Sequence, residues 1–197
     1  MLVAAGMITP VVWLCNTLLA RGADALAEVA RFNAGYNWFA VVSAIPAVLA
    51  QVEFVHMAKA RATGDTRRLV RVLKLFIAQN LLIVAPVVLA GALLAGFMMG
   101  LFNIDDAQAR STLRLLLAAA LLASLGNPAG MYLAATDRIW IASLLNIVWA
   151  AVVLGCAWTL RNRGAEGVAA AFVAGYAMHF CAASSIVWRI VRAHRSR

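Results

Sequence analysis

IWIASLLNIVWAAVVLGCAWTL, Ile139 to Leu160, contains no Asp, Glu, Lys or Arg and is bounded by Asp137-Arg138 on one side and Arg161-Asn162-Arg163 on the other. A helix rises about 1.5 Å per residue, so roughly 20 apolar residues cross the ~30 Å of bilayer hydrocarbon, and this stretch is long enough. Five more charge-free stretches lie outside it: Met1 to Ala20, Phe32 to Val52, Leu75 to Ile104, Leu115 to Thr136 and Gly167 to Trp188. No short segments of alternating apolar and polar character run through them, which excludes a transmembrane β-barrel. The 197-residue chain is 64% hydrophobic and 13% charged, with a mean hydropathy of +0.87, and so has too little polar surface to wrap a soluble globule. The expected fold is all-α, a polytopic bundle of six transmembrane helices over residues 1-20, 32-54, 75-102, 114-136, 139-160 and 167-189. No linker or low-complexity tract divides the chain, so residues 1-197 are expected to form a single domain.

Leu75 to Ile104 exceeds one span but falls short of two spans and a turn. It is expected to be one long helix kinked at Pro86, with Gly91, Gly96 and Gly100 allowing close helix contact. All four prolines, Pro10, Pro46, Pro86 and Pro128, fall inside expected helices, which suits bent, cavity-lining bundles.

The net charge of +9 follows topology, not nucleic-acid binding. Cytoplasmic flanks retain Lys and Arg, and with the N-terminus inside, eleven of the 17 fall inside: Lys59, Arg61, Arg67, Arg68, Arg71, Lys74, Arg138, Arg189, Arg192, Arg195 and Arg197. The other six, Arg21, Arg31, Arg110, Arg114, Arg161 and Arg163, fall outside near Asp24, Glu28, Asp105, Asp106 and Glu166. Both termini are therefore expected in the cytoplasm. In the basic stretch His56 to Lys74, Asp65 or Thr66 is suited to cap a helix that presents Arg67, Arg68, Arg71 and Lys74 to lipid headgroups or solvent.

Cys15, Cys156 and Cys181 lie in apolar windows without metal-ligand spacing and read as small core residues. No metal or cofactor is expected. Met1 to Ala20 lacks the basic n-region of a signal peptide, and the first helix is expected to begin at Met1, as though a preceding segment were missing. Enzyme motifs are absent: there is no HExxH, no phosphate-cradling glycine loop and no paired-carboxylate cluster.

Polar groups are costly in a bilayer and face protein or a water-filled cavity, so their angular placement is informative. On the second helix Asn33, Tyr36, Asn37, Ser43 and Gln51 share one face at 100° per residue, as do Thr9, Trp13, Asn16 and Thr17 on the first. Neutral amides, hydroxyls and rings suit sugars, although the same amides also join helices by hydrogen bonds. Glu53 points away from its helix's stripe and is expected to snorkel to the inner interface beside His56. His179 stands alone on the sixth helix. Both are candidate proton-coupling residues.

Pro10 to Ala20 with Trp13, Asn16 and Leu18, then Arg21-Gly22-Ala23-Asp24 and EVARFNAGYNW from Glu28 to Trp38, resembles the seventh and eighth helices of polysaccharide transporters. These belong to the multidrug/oligosaccharidyl-lipid/polysaccharide exporter superfamily. Ala44-Ile45-Pro46, the Gly64-Asp65 loop, Tyr132 to Arg138 and Gly164 to Ala169 follow in the order of that pattern. The resemblance implies the C-terminal lobe of a two-lobe flippase that moves lipid-linked oligosaccharide across the bacterial inner membrane by alternating access. Its partners would be membrane lipids and either the missing N-terminal lobe or a second copy of the chain. Asn16, Asn33, Tyr36 and Asn37 are then the expected sugar contacts. Arg21 and Arg31 at the outer mouth are candidates for the diphosphate, which a guanidinium binds bidentately. A drug or cation exporter of the same superfamily is the alternative and would be expected to use a membrane-embedded carboxylate. A membrane enzyme of lipid or glycan metabolism is the reading from a different class.

Overall fold

A computed structural model of the chain describes residues 7–22, 24–104 and 106–195. Among the described residues there are seven α-helices: α1 (Ile8–Leu19), α2 (Ala25–Ala62), α3 (Thr66–Leu93), α4 (Ala95–Gly100), α5 (Ala107–Ala135), α6 (Ile139–Thr159) and α7 (Gly164–Arg195), the last preceded by a 3-10 turn at Arg161–Arg163. Five of them, α2, α3, α5, α6 and α7, are long and apolar enough to cross a membrane, whereas Ile8–Leu19 is shorter. The chain is an all-α, membrane-embedded helical bundle. Five of the six expected spans coincide with these long helices, although the one expected over 75-102 ends at Leu93. The expected start of the first helix at Met1, the acid Asp105 and the terminal Arg197 lie outside the described residues.

The helices overrun the charge-free windows because their ends are built from charged and capping residues. α2 has 38 residues, about 57 Å of helix, and so extends beyond the hydrocarbon at its ends. Glu28 lies in its first turn and Lys59 and Arg61 in its last, each complementing the helix dipole. α3 starts at Thr66 because Asp65 caps it, accepting the Arg68 N–H at 2.9 Å. Asp106 caps α5 in the same way through the Ala109 N–H at 2.7 Å.

The long window after Leu75 is corrected by the structure. The helix is interrupted at Leu94 (φ −91, ψ 15), and Pro86 lies inside α3. The Arg114 side chain, through Nε, takes the Ala92 carbonyl at 3.1 Å and so competes for one of the acceptors that a continuing helix would use. Gly91 does meet α5, with Leu117 Cδ1 3.0 Å from where its Cβ would stand, while Gly100 faces open space.

The most central helix is α5, against which α2, α3 and α7 pack; α6 packs on α7, and α1 bridges α6 and α2. Gly175 on α7 permits the close approach of α6, since a Cβ there would collide with Val153 and stand 3.2 Å from the Trp149 ring. The interior divides into two apolar clusters. The larger is built on Phe32, Leu113, Leu116, Leu117, Val153 and Phe172. The smaller, at the end that carries Asp65 and Arg138, is built on Met57, Phe76, Tyr132, Leu133 and Val187. Cys15 is buried as expected, but Cys181 is exposed on α7 and is not a core residue.

Candidate functional site

Between the two apolar clusters runs a polar seam. On α2 the larger cluster ends at Val42 and the smaller begins at Met57; on α3 they meet between Phe76 and Val84; on α5, between Ala120 and Ala129. Glu53, Asn80 and Ser124 occupy those three intervals, and all three are fully buried, at 0% exposure. Asn80 Nδ2 donates to Glu53 Oε1 at 3.1 Å and to the Ser124 carbonyl at 3.2 Å. Ser124 Oγ donates to the Leu121 carbonyl at 2.7 Å. Two buried acceptors of the pair, Glu53 Oε2 and Asn80 Oδ1, have no hydrogen-bond partner.

Glu53 therefore does not snorkel. At 53 it stands nine residues, about two and a half turns, before the end of α2, and its side chain is fully buried against protein, with the Asn80 amide of the α2–α3 hairpin opposite it. A lone ionised carboxylate in such a place is severely penalised, and the adjoining amide is neutral.

His179 falls in the corresponding interval of α7, between the Met178 level of the larger cluster and Ala183 of the smaller. It packs against α5 at Gly126, where a Cβ would stand 3.5 Å from the imidazole Nδ1. Asn80 thus approaches α5 from α3, and His179 approaches it from α7. Asn146 on α6 also lies at this level, with Nδ2 donating to the Ala142 carbonyl at 3.0 Å.

The polar stripe of α2 is divided among several environments. Asn33 and Asn16 form a reciprocal amide pair across α1 and α2, with N···O distances of 3.0 and 3.3 Å. Each also donates to the carbonyl four residues earlier in its own helix, Asn33 to Val29 and Asn16 to Val12. Tyr36 is half-buried in an aromatic cluster, stacked on Phe32 and Phe39 and edge-on to Phe172, which in turn meets Trp149 and Tyr176. Asn37 and Gln51 are exposed on the apolar span. On α1, Trp13 is 65% exposed. These positions do not converge on one enclosed cavity.

At the end of the bundle opposite Asp65, Glu28 is a hub. Its carboxylate accepts from Arg31 Nη1 at 2.8 Å, from Gln108 Nε2 at 3.1 Å and from the Ala165 N–H at 2.6 Å, tying α2 to α5 and to the N-terminus of α7. Arg31 Nε also binds Asp106 at 2.9 Å, so its guanidinium is held between two carboxylates. Partial burial alone would push the Asp106 carboxyl up, but the Ala109 N–H, the Arg31 guanidinium and the Gln108 N–H together hold it below its ordinary value. Gly164 is required beside this hub: its φ is +57, and a Cβ there would run into the Glu28 carboxylate. Arg21 is exposed and lines a cleft of about 770 Å³ together with Glu28, Gln108, Trp158, Arg161 and Glu166.

No protein-family model, curated protein or solved structure matches the chain. The resemblance to polysaccharide transporters accordingly stands on the sequence segments that carry it. The arrangement places two groups able to exchange a proton, Glu53 and His179, at the polar seam, and a separate charged cleft at one end. Counted along the sequence, Glu53 stands out as an ionisable group near a helix end, but its pairing with Asn80 does not. The available signal was the hairpin turn at Gly64-Asp65, which folds α3 back along α2 and so brings residues after it alongside residues before it.

Proposed function

We propose that the chain is one lobe of a membrane transporter that moves lipid-linked oligosaccharide by alternating access, with Glu53 carrying the coupling proton. The buried Glu53–Asn80 pair, lying on the polar seam between two separately packed apolar blocks, is the observation that carries this reading. Ionisable groups inside membrane bundles are expensive and mark ion and proton pathways. One proton on Glu53 Oε2 would turn an unpaired acceptor into a donor, with Asn80 Oδ1 as the unpaired acceptor of the same pair. Loss of that proton leaves a buried charge beside a neutral amide, which favours opening of the seam to water. The sugar-phosphate class of substrate is supported by the quoted resemblance and by the arginine-lined cleft containing Arg21, Arg161 and Arg163.

Exposed Asn37 and Gln51 on an apolar span favour a partner surface, because unsatisfied amides facing lipid are costly. That partner is a second lobe or a second copy of the chain. The segregation of basic residues around Asp65 and Arg138 supports a bacterial inner-membrane orientation with that end and both termini in the cytoplasm. The burial of Glu53 also favours the second reading, a drug or cation exporter of the same superfamily. Both readings are tested in cells that express the chain with its neighbouring genes. Accumulation of cytoplasm-facing lipid-linked glycan on deletion, with unchanged efflux of cationic dyes, supports the glycan reading. Lost dye efflux with normal glycan export supports the other.

A further inference from the structure

A second surface, outside the seam and independent of the transport reading, has the chemistry of a lipid site. α3 and α7 both pack on α5 and form the walls of a groove of about 460 Å³ floored by Ala129, within the ~300–1,000 Å³ range of small-ligand sites. Its walls are mostly apolar, with Leu73 and Ile77 on α3 and Val187 on α7, and carry one hydroxyl, Ser184. Two cations, Lys74 and Arg192, also line it, and both are exposed. The Arg192 guanidinium lies 4.0 Å from the centroid of the Trp188 ring, and Trp188 is itself 56% exposed. That contact holds the cation over an aromatic ring of the kind enriched at the membrane interface.

An apolar channel that meets two cations and an interfacial tryptophan at the basic end of the bundle is complementary to one class of molecule. We propose that this groove binds an anionic phospholipid, with an acyl chain along Leu73, Ile77 and Val187 and the headgroup phosphate against Lys74 and Arg192. Two other cations of the basic stretch, Arg67 and Arg68, lie nearer the start of α3, do not line the groove, and serve as the internal control. Charge near a membrane surface adds about 1 kcal/mol per Lys or Arg, so removing both rim cations should reduce retention of the lipid by roughly tenfold or more.

The test is native mass spectrometry of the purified full-length chain in mixed micelles containing phosphatidylglycerol or phosphatidylcholine, for the wild type, Lys74→Gln/Arg192→Gln and Arg67→Gln/Arg68→Gln. Selective retention of phosphatidylglycerol, lost in the first double variant and kept in the second, is the expected result, with glycerol phosphate failing to compete. Equal retention by Lys74→Gln/Arg192→Gln overturns the proposal, as does an equal loss in the control pair. Competition by glycerol phosphate would assign the cations to free phosphate and also overturn it. If the rim variant does not fold, brominated lipids decide instead. The Trp188 share of the fluorescence, taken as wild type minus Trp188→Phe, should be quenched more strongly by brominated phosphatidylglycerol than by brominated phosphatidylcholine at equal mole fraction, and equal quenching refutes the site.

Discussion

Replacing Asn80 with Leu removes two hydrogen bonds at once, those to Glu53 Oε1 at 3.1 Å and to the Ser124 carbonyl at 3.2 Å. Side-chain hydrogen bonds between membrane helices contribute about 0.6 kcal/mol on average and up to about 1.7, so two of them give roughly 1–3 kcal/mol. The loss should lie near the upper end, because Asn80→Leu also leaves Glu53 with neither carboxyl oxygen partnered at a fully buried position. Glu53→Leu removes the polar group with the larger desolvation cost and should be close to neutral. In that background Asn80→Leu should cost about 1 kcal/mol or less, since only the Ser124 contact is then lost. The double-mutant cycle therefore predicts a coupling of about 1–2 kcal/mol, measured by unfolding in mixed micelles titrated with denaturing detergent. An Asn80→Leu cost that is the same with and without Glu53 would refute the pairing and the seam with it.

Gly164→Ala should destabilise the fold by about 1–3 kcal/mol, because the residue adopts φ +57 and its new Cβ meets the Glu28 carboxylate; pairing it with Glu28→Ala should restore part of the thermal midpoint, and a neutral Gly164→Ala would contradict the hub. The carboxyl of Asp106 is held below its ordinary value, so its contribution is complete above the usual carboxylate pKa of ~3.9 and fades as pH falls through the lower folded-state value; acid unfolding of Asp106→Asn should lack that part of the slope. Asn33→Leu should weaken the protein by breaking its pair with Asn16, whereas exposed Asn37→Leu should leave its stability unchanged and lower glycan export, as read from protein level and export in the same cells.

The helices were legible because charge-free length is a one-dimensional property, and α6 came out at Ile139–Thr159, almost as its apolar run marks it. Helix ends were less legible. Glu28, Lys59 and Arg61 look like loop residues when charge is counted, yet they sit on the outer turns of α2, where the dipole favours them. The break at Leu94 could not be read from Pro86, since it coincides with a tertiary contact from Arg114. Asn33, Tyr36 and Asn37 share one side of α2, but the spacing that puts them there does not say which neighbour each meets. An amide partner, an aromatic cluster and open surface took one each. Glu53 was misplaced for the same reason, because a helical wheel describes one helix and burial here is decided by the α3 and α5 faces that pack on it.

The measurement that tests the central claim most directly is the pH-gradient dependence of lipid-linked oligosaccharide flipping in proteoliposomes that contain the chain with the proposed second lobe or second copy, comparing the wild type with Glu53→Gln. Glutamine preserves shape and can keep the Asn80 contact, so the variant should fold and insert normally. Flipping by the wild type should accelerate when a gradient is imposed, while Glu53→Gln should flip at one slow rate with or without it. A Glu53→Gln protein that responds to the gradient as the wild type does would contradict the assignment of the coupling proton to this residue.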